Sequence, residues 1–421
     1  MRAVKRPLAL IPLIVLSASI SAQEAALTLE RAVTLAQERN ERTAIADTAV
    51  QAAEARLGLA RTAFLPRVDI NGNWRTDYSD PTDRTLSAAA LVTQPLFEPR
   101  AFPLMRMARF ERDAARLSAT ESKRILGFDA AATFLITLSF EQVQLAAQRR
   151  RDFAQTNLDD VRARFEAGLV SSNDVTRAEL ELATAVRGVA QAVGDVQASR
   201  VELETLLKSE VESLSPPVRL LELAAAPPVP AQTVIAAAQQ RRSDIAASRA
   251  GVEALRAFAQ EPRAGFLPSV GLLAQTRNIN DGPVTSREND AFIGVSMNWP
   301  VFDAGIRKAQ TAERGARVRG AELELEASLR NVEREMRVAA VQLNTEQAAL
   351  REATAGLRAA NKNADETTIL YREGLASALE LADATQRLFE AEVAEVTARY
   401  RMAVAYLSLR EAEGLAPVEG E

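Results

Sequence analysis

The stretch YREGLASALELADA at 371–384 has a counterpart, FEAGLVSSNDVTRA, at 165–178. Both run from an aromatic residue to Gly-Leu three positions on, then to small hydroxyl residues, then to an acid followed by an apolar residue, at an offset of 206 residues. Two further pairs keep the same order: AFLPRV at 63–68 recurs as GFLPSV at 265–270, and QPLF at 94–97 recurs as WPVF at 299–302, offset by 202 and 205. Three ordered matches at nearly constant spacing are the mark of a duplicated chain. The proline-rich run SPPVRLLELAAAPPVPAQ at 215–232 separates the copies, and its prolines forbid a helix from continuing through it.

Around each Gly-Leu pair the chain reads as long helix. No proline falls between Pro103 and Pro216 or between Pro300 and Pro417. The second interval carries apolar residues at alternating spacings of four and three: Leu325, Leu329, Val332, Met336, Ala339, Leu343, Leu350, Ala353, Leu357, Ala360 and Ala364, with Glu346 intruding. After the turn the stripe resumes at Phe389, Val393, Val396, Tyr400, Ala403 and Leu407. The first interval is looser, with Phe128, Ala131, Leu135 and Leu138 before its turn and Val189, Val193, Val196, Leu203 and Leu207 after it. A 3.5-residue period predicts helices packed side by side as in coiled coils. A helix over 305–371 would be about 100 Å long, more than a globular domain needs.

Between the FLP and PLF/PVF signatures the period drops to two. Val68, Ile70 and Trp74 alternate with Asp69, Asn71, Asn73 and Arg75, and Ile293, Val295, Met297 and Trp299 alternate with Gly294, Ser296 and Asn298. Leu86, Ala88, Ala90 and Val92 give a second strand, and Val270, Leu272 and Ala274 a third. The turn-rich runs at 78–84 and 278–289 make each pair a hairpin, about 66–97 and about 268–302, joined to helices through Pro66, Pro95, Pro268 and Pro300. The chain's two tryptophans, Trp74 and Trp299, both fall in these strands, where they suit either a membrane-interface girdle or a buried core.

Composition narrows the chemistry. Among 421 residues there is no Cys and no His, which removes thiol nucleophiles, disulfides, imidazole bases and the commonest zinc ligands, so no metal or cofactor is expected. The N-terminus has Arg2, Lys5 and Arg6, an apolar run over 7–16 and small residues to Ala22, the pattern of a signal peptide over 1–22. Removing those three of 51 basic residues leaves 48 against 56 acidic ones, a net charge of −8 that disfavours nucleic acid. No later segment has about 18 consecutive apolar residues, so a membrane helix is not expected. The organisation predicted is a first repeat over 23–214, a linker over 215–232, a second repeat over 233–413 and a tail over 414–421.

Four strands with one apolar face cannot close a barrel, and a sheet in lipid needs closed edges. Two chains would give a barrel filled by side chains, so a water-filled pore needs at least three. The duplicated helix, hairpin, helix plan, the FLP and QPLF/WPVFDAG signatures and the paired Gly-Leu turns resemble the TolC-type outer-membrane efflux proteins of the outer membrane factor family, over about 27–414. The first copy departs from the pattern with QPLFEPR. The resemblance implies a mainly α fold: a homotrimer whose twelve-stranded transmembrane β-barrel sits in outer-membrane lipid of a Gram-negative bacterium and continues into a long α-helical barrel across the periplasm. It also implies a periplasmic adaptor and an inner-membrane pump of the RND or ABC type as partners, for efflux or type I secretion. A periplasmic coiled-coil adaptor is the second reading, but the two hairpins do not supply its small β modules. A carboxylate-based secreted hydrolase is third, since the acids follow caps and surfaces.

The turns carry the candidate site. Gly168 and Gly374 suit the left-handed conformation that ends a helix, and Ser171 and Ser377 can cap the next one, with Asp174 and Glu380 at the third helical position completing capping boxes. Capping accounts for Glu380. Asp383 lies one turn deeper, where the helix dipole fades. The resemblance places Asp174, Glu380 and Asp383 at a periplasmic constriction, with Tyr371 helping to hold it closed. It matches Gly168, Leu169, Gly374 and Leu375 to the corners that meet an adaptor hairpin, unless the leucines cover the seam within one chain.

Overall fold

The computed structural model describes residues 26–76, 78–79, 84–227, 231–281 and 286–418. The signal peptide predicted over 1–22 and the predicted hairpin turns at 80–83 and 282–285 lie outside the described residues, as does part of the linker. The first half runs α1 (Leu29–Arg39), α2 (Glu41–Thr62), β1 (Arg67–Thr76), β2 (Arg84–Phe97), α3 (Ala101–Glu166) and α4 (Ser172–Leu207). A short α5 (Val218–Ala225) lies in the proline-rich run, too brief to join its neighbours. The second half repeats the order with α6 (Ala231–Arg241), α7 (Ser243–Phe258), α8 (Glu261–Ala264), β3 (Ser269–Asp281), β4 (Ser286–Asn298), α9 (Ile306–Arg372) and α10 (Ala378–Ala412).

The long helices α3 and α9 have 66 and 67 residues, about 100 Å each at 1.5 Å per residue. Every residue of the predicted α9 stripe from Leu325 to Ala364 is buried or half-buried. Gln347, beside Glu346, is the buried polar residue of that stripe. Its Nε2 donates to the Ala224 and Ala226 carbonyls, both at 2.8 Å, and so satisfies the open end of α5. The cores sit at matching depths. One joins Leu126, Phe134, Leu135 and Leu138 of α3 to α1, to Leu203 and Leu207 of α4 and to Leu407 of α10. The other joins Val332, Met336 and Leu343 of α9 to Ile245 of α7 and Leu409 of α10. One 18-residue window of α3 is long and apolar enough to cross a membrane by composition, with mean hydropathy 1.2. This differs from the sequence expectation, and the core residues of α3 account for that apolarity.

The strands form one antiparallel sheet in the order β1-β2-β3-β4. The β2–β3 pairing sets Val92 opposite Ala274 and Ala90 opposite Thr276, so the two halves of the chain share a sheet. Register aligns the apolar positions: Val68, Val92, Ala274 and Ile293 follow one another across the four strands, and Leu272 pairs with Val295 across two. That face is bare in the single chain, with Ile70 79% and Ile293 78% exposed. Asp69, Asn71, Asn73 and Arg75 take the opposite face. Among the described residues, β1 and β4 have no partner along their outer edges.

The repeated FLP and QPLF/WPVF signatures meet in space. Gln94 Nε2 donates to the Phe64 carbonyl at 3.0 Å, and Trp299 Nε1 donates to the Phe266 carbonyl at 3.0 Å. Each copy thus ties the end of its returning strand to the helix end before its first strand. Two details correct the sequence reading. Trp299 lies one residue beyond β4, where its indole makes this tie, and Pro95 lies inside β2, at a register shift between Pro95 and Phe97, the kind of irregularity that tolerates a missing N–H. The departure QPLFEPR also has a structural counterpart. Asp303 accepts from the N–H groups of Gly305 and Arg307 at 3.2 and 3.0 Å at the start of α9, whereas α3 begins with no side-chain cap. Arg307 fixes this second bend, donating to the Gly265 carbonyl at 2.8 Å and to Asp303 at 2.6 Å with its guanidinium 4.2 Å from the Phe266 ring.

Phe134 is fully buried. Phe134→Ala is expected to cost about 3–5 kcal/mol, read as a lowered unfolding midpoint of the detergent-solubilised protein.

Candidate functional site

Both Gly-Leu turns close their helices in the same way. After α3, Gly168 has φ +74°, its N–H donates to the Phe165 carbonyl at 2.9 Å and the Leu169 N–H donates to the Arg164 carbonyl at 2.9 Å. After α9, Gly374 also has φ +74°, with Gly374 N–H to Tyr371 O at 3.1 Å and Leu375 N–H to Leu370 O at 2.8 Å. This is the Schellman closure, in which a left-handed residue lets its own N–H and that of the residue after it reach back to the orphan carbonyls. A third copy ends α10: Gly414 has φ +73°, and Leu415 N–H donates to Arg410 O at 3.0 Å. The sequence shows the pair GL there too, but with Pro417 and Gly420 where the other turns have their serine and acid.

The next helix in each turn opens on a capping box. Ser171 N–H and hydroxyl donate to Asp174 Oδ2 at 3.0 and 2.8 Å. Ser377 N–H and hydroxyl donate to Glu380 Oε2 at 2.6 and 2.9 Å, and Glu380 N–H donates back to Ser377 Oγ at 3.3 Å. These bonds hold both carboxyls below the ordinary carboxylate range, the Ser171 hydroxyl being the largest cause for Asp174 and the Ser377 N–H for Glu380. Asp383 takes no part in capping. It accepts from Arg387 Nε at 2.8 Å, and both side chains stay largely exposed.

Tyr371 is buried in the seam between the two turns with Leu158, Val161, Ala178 and Leu381. The Arg164 guanidinium lies 5.3 Å from its ring. Burial raises the Tyr371 phenol above its ordinary value; Arg164 opposes this, and the charges of Asp174 and Asp160 add to it. Its hydroxyl has no hydrogen-bond partner among the described residues. Leu169 and Leu375 are 75% and 76% exposed, so neither covers this seam.

Above the seam a cavity of about 250 Å³ separates the two helical pairs. Phe153, Val161, Leu381, Leu388 and Phe389 form its apolar wall, and Asp174, Arg177 and Glu181 reach it from α4. Arg150 crosses from α3, donating to Glu181 at 2.7 Å with its guanidinium 5.1 Å from the Phe389 ring. The structure therefore separates the predicted acids: Asp174 lines the cavity, whereas Glu380 and Asp383 do not. Arg150 and Arg164 escaped the sequence reading because their partners lie in other helices. Their one signal was long cationic side chains near the turns.

Two helical pairs carried on a shared sheet, with apolar residues bare on one face and polar residues on the other, define a tandem-repeat membrane-barrel protein with a helical extension. The family model for outer membrane efflux proteins matches the chain twice, over 32–208 and 234–415. The chain is 26% identical over 371 residues to the outer membrane protein TolC of Vibrio cholerae, covering 84% of this chain and 83% of that one. It is 24% identical over 410 residues to the outer membrane efflux protein BepC of Brucella suis, covering 95% and 89%. The crystal structure of the open state of the Neisseria gonorrhoeae MtrE outer membrane channel superposes with a TM-score of 0.76 at 19% identity, over 92% of this chain and 89% of that one. The chain belongs to the outer membrane efflux protein family, and its fold is that of the TolC type.

A Cβ at Gly168 or Gly374 would meet nothing within 4 Å, so only the backbone resists one. Gly374→Ala is expected to cost about 1–2 kcal/mol locally, seen as faster amide exchange over 370–377, with Gly374→Asn milder. The caps add a pH dependence. A carboxylate held below its unfolded value stabilises the turn above the unfolded range, and that contribution is lost as pH falls through the depressed folded value. Protection of the Ser377 amide, taken relative to its intrinsic exchange rate, is expected to fall as the solution is acidified below the ordinary carboxylate range, and Glu380→Gln to remove that dependence.

Proposed function

We propose that three copies of this chain join β1 to β4 and close a twelve-stranded barrel, with α3, α4, α9 and α10 continuing as a helical barrel into the periplasm. The protein is an outer-membrane channel for efflux or type I secretion, and on this reading it is a passive duct that performs no chemistry. The observation that carries the assembly is the sheet itself: two open edges and one bare apolar face. In lipid such a sheet is stable only when closed.

The tryptophans support the placement in the membrane. Trp74 aligns through Leu86 and Asn280 with Arg287 of β4, and from 287 to Trp299 is twelve residues. At about 3.3 Å per residue and a tilt of 35–45°, they stand roughly 30 Å apart along the membrane normal, close to the thickness of a hydrocarbon core. Trp74 and Trp299 then mark its two interfaces with outer-membrane lipid. The Gly-Leu turns lie at the far, periplasmic end. Their exposed tips, Gly168, Leu169, Ser171, Gly374, Leu375 and Ser377, are the surface for a periplasmic adaptor, which joins the duct to an inner-membrane pump of the RND or ABC type. Glu380 and Asp383 line the entrance, Asp174 supports it from the cavity, and Tyr371 holds the two hairpins together. The mature chain begins after Ala22, and its repeats span 23–214 and 233–413 on either side of the linker over 215–232, with a tail over 414–421.

In planar bilayers the purified protein is expected to give a cation-preferring conductance, with the preference weakened in Asp383→Asn. Folded trimers that never conduct, even with the Tyr371 seam loosened by Tyr371→Ala, would count against the duct.

A further inference from the structure

The face of α10 that carries Asp383 is set apart from the rest of the helix. Ala378, Leu381, Thr385, Leu388, Phe389 and Glu392 border the cavity. Glu380, Asp383, Arg387, Glu390 and Ala394 recur at spacings of three and four, do not border it, and are all exposed. They form one stripe that runs up the helix from the turn. It holds three acids and a single base, Arg387.

Glu380 is committed to the Ser377 cap, so Asp383 is the stripe's first acid free of that task. Arg387 stands one turn along, about 6 Å up the axis, with its Nε 2.8 Å from Asp383 Oδ2. An exposed pair of this kind contributes little to stability. Its field matters more, because about 6 Å is inside the Debye length of roughly 8–10 Å, so an ion meeting Asp383 also meets Arg387. The other repeat offers no equivalent stripe. At the 206-residue offset, Asp383 and Arg387 correspond to Arg177 and Glu181, with the signs reversed. Both of those border the cavity, and Glu181 is taken by Arg150.

We infer that Arg387 sets how strongly the entrance prefers cations, by cancelling part of the charge that Asp383 presents. This rests on the placement of the α10 stripe in the entrance proposed above. Around a threefold axis the acids of Asp383 form one ring and the bases of Arg387 a second, adjoining ring, so an ion entering meets an acidic layer with a basic layer one turn away in place of an acidic filter alone.

The test is the reversal potential of the full-length trimeric channel in planar bilayers under a potassium chloride gradient. Arg387→Gln is expected to raise the potassium-over-chloride permeability ratio by roughly threefold, Arg387→Lys to leave it near the parent value, and Asp383→Asn to lower it. A lowered ratio in Asp383→Asn with no change in Arg387→Gln would overturn the role of Arg387 and leave the placement of the stripe standing. No change in either variant would overturn both. Conductance itself reports that each variant has folded and assembled.

Discussion

The pairing of β2 with β3 is the contact on which the rest of the molecule depends. It joins two hairpins that lie almost half the chain apart into one sheet, brings both bare apolar faces to one side, and leaves β1 and β4 as the edges. Backbone hydrogen bonds satisfied in the middle and open at both ends are a demand for more strands, and lipid makes the demand strict because no water is there to meet it. Below it each returning strand is tied to the helix end that precedes its hairpin, through Gln94 to Phe64 or Trp299 to Phe266.

At the other end the duplicated turn solves a different problem. A helix some 100 Å long leaves its last carbonyls open, and the next helix begins with open N–H groups. The Gly-Leu pair closes the first set, and the serine with its acid closes the second, inside a handful of residues. The two copies share this local solution but differ in surroundings. Asp174 turns toward the cavity between the hairpins, while Glu380, Asp383 and Glu390 of α10 stand on its exposed face. The duplication thus supplied two corners of one shape, and substitution at matching positions, Arg177 for Asp383 and Glu181 for Arg387, gave them different electrostatics.

Much of this was legible in the sequence because it is local or periodic. The heptad stripe of α9, the alternation in β1 and β4, and the capping boxes depend on residues within a few positions of one another. What escaped depends on long-range geometry. Glu346 reads as the intruder in the hydrophobic stripe, and nothing in the spacing marks its neighbour Gln347 as buried until α5 is placed against it. Trp299 reads as a strand residue until the Phe266 carbonyl gives its indole a partner. Pro95 reads as a strand terminus, yet β2 passes through it because the register shifts there. In the turns spacing marked the capping acids Asp174 and Glu380 and the resemblance added Asp383, but neither could tell which of them faced the cavity.

The central claim is that the open sheet closes with copies of itself in the outer membrane. The most direct measurement is the mass of the protein extracted from isolated outer membranes in mild detergent, corrected for bound detergent. A single species of three processed chains, recovered with the outer-membrane fraction, is expected. A monomer recovered from the soluble periplasm would contradict it, because the apolar face and both edges would then be stable in water.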